Sequence, residues 1–130
     1  MVIDSDQAIG HAGVVTAASR EELRRSLVEI DIATRENVTR SLEIQSRVEW
    51  IKKAIDDDVP IQDILGVEPK PVVVELVSQN IEALQTIGSR LRQAQARALR
   101  AEGVTMEAIG NMFGVTRQRI SALLRQGSGP

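Results

Sequence analysis

Residues 105–120, TMEAIGNMFGVTRQRI, decide how the chain is read, because they describe two short helices meeting at a tight turn. Gly114 supplies the positive φ that the turn requires, at almost no cost to a residue without a Cβ. Ile109 and Phe113, four apart, and Ile120 and Leu123, three apart, then share an inward side with Val115. Gly110 is small where the second helix must cross closely. Thr105 and Thr116 stand where helices begin, each with a side-chain oxygen for an orphan backbone amide, and Gly103 ends the helix before them. An ordinary amphipathic helix pair explains the apolar positions but not this turn, so the pattern predicts a helix-turn-helix.

Through Thr105, Ile109, Gly110, Phe113, Gly114, Val115, Thr116, Arg117, Arg119 and Ile120 the chain resembles the promoter-reading helix-turn-helix of bacterial primary sigma factors. The resemblance covers roughly residues 90–125. It implies a trihelical module whose last helix lies in the major groove of double-stranded DNA. It does not imply a sigma factor, since the chain has no room for the other sigma domains. Gln118, Ser121 and Ala122 stand where promoter-reading helices tend to carry Glu, Arg and Gln, so the sigma target sequence is not carried over.

The expected reading helix spans 116–125, with Arg117, Gln118, Ser121 and Arg125 as its base-reading residues. Arg117 suits guanine and Gln118 adenine, each bidentate pair worth about 1–3 kcal/mol of discrimination. Arg97, Arg100 and Arg119, with the amide ends at Thr105 and Thr116, are placed for phosphates.

The net charge of −2 hides an asymmetry. Residues 90–130 hold seven arginines against two glutamates, a net of +5, while residues 1–89 hold nine basic and sixteen acidic side chains, a net of −7. The basic end has the character of an electrostatic footprint for phosphates, and the acidic part repels DNA.

That acidic part reads as long helices. Ser19 with Glu22 forms a capping box, so a helix is expected over 19–57, about 39 residues and about 58 Å at ~1.5 Å per residue, ended by Val59 and Pro60. Its heptad seam runs through Leu23, Leu27, Ile30, Thr34, Asn37, Ser41, Ile44, Val48, Ile51 and Ile55, with a polar middle that fixes register or partner or marks a kink. Val28, Ile32 and Trp50 lie on the opposite face and call for a further packing partner. A short helix follows at 60–65, closed by Gly66 and capped by Asp58, the last of three aspartates at a solvated helix end. The second long helix, 71–102, has Pro71 in its first turn and a seam Val73, Val77, Asn80, Leu84, Ile87, Leu91, Ala94, Ala98 and Ala101 that runs through Gly88 into the trihelical module.

The sequence therefore predicts an all-α chain in four parts: a flexible segment 1–18, a helical oligomerisation region 19–89, a DNA-binding domain 90–125 and a flexible tail 126–130. The long helices form the body of a homodimer, or a hairpin within one chain that buries the two seams against each other. The absence of cysteine excludes disulfides and thiolate metal sites. With no phosphate loop, nucleophile signature or metal-ligand set, no enzyme and no cofactor are expected; His11, the lone histidine, falls in the flexible segment. No membrane segment or signal peptide is read, so a cytoplasmic place follows. The expected role is a sequence-specific transcriptional regulator. The competing expectations are an adaptor that touches RNA polymerase or a sigma factor, and an architectural protein that bridges DNA.

Overall fold

Among the described residues five helices form: α1 over Ser5–Asp56, α2 over Ile61–Val67, α3 over Val73–Ala101, α4 over Met106–Phe113 and α5 over Arg117–Arg125. The computed structural model describes residues 5–126, with side chains described from residue 13 onward. Among the described residues there is no strand, and the chain is all-α. It divides into two units, residues 1–30 with 87–130, and residues 31–86. Residues 19–30 thus group with the C-terminal helices rather than with the expected oligomerisation region.

Helix α1 begins well ahead of Ser19, where the sequence pattern predicts a capping box. Ser19 lies inside the helix. Glu22, instead of turning back to a backbone amide, meets Arg97 at 2.6 Å. Thr16 donates through Oγ1 to the carbonyl of Ala101 at 3.4 Å, satisfying one of the orphan acceptors at the end of α3. Residues 5–18 of the expected flexible segment are therefore helical; residues 1–4, residues 127–130 of the tail and the His11 side chain lie outside what is described. Gln126 is held rather than loose, its carbonyl accepting from Arg97 at 2.8 Å and its Oε1 from Gln93 Nε2 at 3.0 Å.

In the second unit, α1 and α3 run antiparallel and bury their seams against each other within one chain. Asn37 Nδ2 donates to the carbonyl of Asn80 at 3.5 Å, Arg40 Nη1 donates to Asn80 Oδ1 at 3.2 Å, and Asn80 Nδ2 donates to Ser41 Oγ at 3.2 Å. The polar middle of the seam is thus a cross-helix network of half-buried groups, and a slip in register would break its bonds.

The seam itself is displaced from the expected one. Ile30, Asn37, Ser41, Ile44 and Ile51 are covered as predicted, but Ala33, Arg47 and Ala54 are covered in place of Thr34, Val48 and Ile55, each one residue earlier, and Arg40 is covered beside Ser41. On α3 the same shift puts Leu76 and Ala83 inside and leaves Val77 and Leu84 outside. The inward positions mix small residues, Ala33, Ala54 and Ala83, with Leu76 and the paired side chains of Arg40 and Arg47.

Arg47 ends this seam in a closed polar cluster. Its guanidinium donates to Glu43 at 2.9 Å, Glu68 at 3.1 Å and the carbonyls of Pro69 and Pro71 at 2.9 and 3.2 Å. Glu68 Oε1 also accepts the Val73 amide at 2.6 Å, so it, rather than Pro71 in a first turn, prepares the start of α3. Asp58 does not cap the short helix: it ends α1 with a positive φ of 58°, while Pro60 precedes α2 without a side-chain cap. Gly66 falls inside α2, which continues to Val67.

Candidate nucleic-acid interface

The site grows from the end of α3. There Gly103, at φ 88°, lets its amide reach the carbonyl of Arg100 at 3.0 Å and lets the Val104 amide reach that of Leu99 at 3.0 Å. This pair of bonds is a Schellman stop, and Leu99 and Val104 both pack on the cluster below it. That cluster is Ala96 from α3, Ile109 from α4, and Ile120 and Leu123 from α5, with Phe113 against its side. Three short stretches of helix thus share one core, and Ala96 is the member that the seam pattern passes over.

Both short helices have the expected caps. Thr105 Oγ1 accepts the Ala108 amide and Thr116 Oγ1 accepts the Arg119 amide, each at 3.1 Å. Gly114 takes φ 69°, ψ 31°, and the next amide, Val115, donates to the Gly110 carbonyl at 2.9 Å. A Cβ on Gly110 would lie 2.8 Å from the Val115 carbonyl oxygen, so the close approach expected there is made against the backbone of the turn. The Val115 side chain does not point inward as expected; it is 39% exposed, because its carbonyl, not its isopropyl group, takes the inner place.

With Ile120 and Leu123 inside, the turn of the helix sets Gln118, Ala122 and Arg125 on the far side of α5, with Ser121 beside them. Arg117 and Arg119 flank that side. Arg117, Gln118, Arg119 and Arg125 are exposed, and Ser121 and Ala122 are half-buried. Ala122, which is not among the expected reading residues, shares their face; with no polar atom to signal a role, it offers a methyl contact. Helix α5 carries no acidic residue, and Arg117, Arg119 and Arg125 form no salt bridge among the described residues.

The expected phosphate-contacting residues divide. Arg100 and Thr105 come together around a hollow of about 350 Å³ at the start of α4, lined also by Met106, Glu107 and Arg117, the last of these expected to read bases. Arg97 does not join them, since its guanidinium is held by Glu22 and by the Gln126 carbonyl. Among the described residues no group of acidic or histidine side chains is placed to hold a metal ion. Among the described residues no helix is long and apolar enough to cross a membrane. Compared with protein-family models, curated proteins and solved structures, the chain matches none.

Proposed function

We propose that the chain binds double-stranded DNA sequence-specifically and acts as a transcriptional regulator, with α4 and α5 as a helix-turn-helix and α5 in the major groove. Arg117, Gln118, Ser121 and Arg125 read base edges, and Arg100, Arg119 and the helix starts at Thr105 and Thr116 hold phosphates. The observation that carries this reading is the unpaired cationic face of α5, on which Arg117, Arg119 and Arg125 lack any carboxylate partner among the described residues. Elsewhere arginines such as Arg47 and Arg97 are drawn into ion pairs. A helix with Ile120 and Leu123 locked inward and arginines left outward is matched to a polyanion, and Gln118 and Ser121 among them add groups that distinguish base pairs.

Selection of bound duplexes from a random pool by the full chain tests this. One recurring sequence of a few base pairs is the expected product. Uniform recovery of all duplexes would favour an architectural role, and failure to retain any duplex would favour an adaptor for RNA polymerase or a sigma factor; either contradicts the proposal.

A further inference from the structure

We infer that a hollow between α1, α3 and α4, within the unit of residues 1–30 and 87–130, binds a small amphipathic acid, an apolar body that carries one carboxylate. The hollow measures about 460 Å³, inside the range of about 300–1,000 Å³ usual for small-molecule sites. Leu23 and Leu27 from α1, Ala98 and Leu99 from α3 and Phe113 from α4 give it apolar walls. Leu27 is 51% exposed, and covering it is favourable. A single exposed leucine is ordinary, whereas here apolar side chains from three helices converge on one concave space.

The polar groups of the hollow set the charge of the occupant. Arg20 and Arg24 lie one turn apart on the face of α1 that carries Leu23 and Leu27. Arg20 is held by Glu102 at 3.5 Å, which leaves that pair neutral. Arg24 has no carboxylate partner among the described residues, whereas Arg35, Arg40 and Arg47 on the same helix each pair with the acid four residues back. Four back from Arg24 stands Arg20, and Glu21, three back, does not pair with it. One net positive charge thus lies beside the apolar walls. A guanidinium takes a carboxylate through two parallel hydrogen bonds, and Gln95, which also lines the hollow, has an amide that can donate to the same anion. A purely apolar ligand would take water from Arg24 without replacing it, and a phosphodiester would be set against leucines. Leu99 and Phe113 also pack on the core of Ala96, Ile109, Ile120 and Leu123, so an occupant touches the helices that carry the reading face. Control of DNA binding by such an acid rests on the DNA-reading proposal, whereas binding of the acid does not.

Titration of the full chain, without DNA, with two fluorescent probes tests the site: anilinonaphthalenesulfonate, an anion, and N-phenylnaphthylamine, its neutral counterpart with the same apolar body. The native chain should bind the anion about tenfold more tightly, and decanoate should displace it at lower concentration than decanol. Arg24→Gln should bring the two affinities together with unchanged helical circular dichroism. Arg25→Gln should leave the difference intact, because Arg25 is also unpaired but does not line the hollow. Leu27→Gln should weaken both probes. Saturable binding of neither probe, equal affinity of the native chain for both, or a preference that survives Arg24→Gln would overturn the inference. The readout is independent of DNA, so a chain that prefers the anion but binds no duplex would refute only the DNA-reading proposal.

Discussion

The Arg97 guanidinium sits 2.6 Å from Glu22 and joins α3 to the first helix, while its other terminal nitrogen holds the carbonyl that ends α5. Arg100, one turn away, gives one terminal nitrogen to the Val104 carbonyl at 3.1 Å and faces the exposed hollow it shares with Thr105 and Arg117. Two arginines three residues apart on one helix therefore have different work. Arg97→Ala should lower stability by about 1–2 kcal/mol, as expected for a partly exposed ion pair with an added carbonyl bond, with little change in the salt dependence of DNA binding. Arg100→Ala removes only the exposed bond to the Val104 carbonyl, so it should lower stability by less than Arg97→Ala, about 0.5–1 kcal/mol, and reduce the slope of log affinity against log salt by roughly 0.9, one phosphate's worth. Thermal melts and salt titrations of the two variants separate the roles; a reversed pattern would show the assignment to be wrong.

Gly110 should tolerate no side chain. A methyl group placed 2.8 Å from the Val115 oxygen must push the turn and α5 away from the core of Ile109 and Ile120. Gly110→Ala is expected to cost about 1–3 kcal/mol, the usual penalty of overpacking. Gly114→Ala meets no atom within 4 Å but must adopt φ 69°, and should cost about 1–2 kcal/mol from backbone strain alone. Urea denaturation of both variants checks the order, and a Gly110→Ala protein as stable as the native chain would mean that the turn is not tightly closed.

Arg47 offers the largest expected loss outside the C-terminal helices. Its side chain and that of Glu68 are 7% and 4% exposed, and Arg47→Ala leaves the Glu68 carboxylate buried without its cation. Removing one member of such a pair costs about 3–5 kcal/mol. Circular dichroism, together with fluorescence of Trp50, the single tryptophan, should report destabilisation. Replacing both residues by apolar groups of similar volume should recover much of it, and no recovery would locate the effect in the backbone contacts of Pro69 and Pro71.

The reach of the sequence followed the range of the interactions. Ile109, Ile120, Leu123, both threonine caps and both positive-φ glycines were legible because each is determined within a few residues. The seams were legible in period but not in phase. Hydropathy selected Val48, Ile55, Val77 and Leu84, whereas the covered positions are Arg47, Ala54, Leu76 and Ala83, one residue earlier; the burial of Arg47 depends on the carboxylate of Glu68, 21 residues along the chain. For the same reason Glu22 looked like half of a capping box until Arg97, on a distant helix, claimed it. At the candidate interface, the residues of α5 were recoverable from its inward pair, but the withdrawal of Arg97 from the phosphate set was not.

Gln118 lies on the side of α5 away from Ile120. Its amide has both a donor and an acceptor, which suits adenine. Gln118→Ala should relax the preference at one base pair by about 1–3 kcal/mol and leave binding to random duplex unchanged. Competition with duplexes varied one position at a time measures this, and an equal loss across all sequences would assign Gln118 to the backbone instead.

The most direct test of α5 as a reader of sequence is the ratio of affinities for the selected duplex and for random duplex, measured with the full chain at one fixed salt concentration. A ratio of about 10³ or more is the expected result, the range of specific regulators. A ratio near one, with binding that falls steeply as salt rises, would mean that the arginines of α5 hold only phosphates and would contradict sequence-specific recognition.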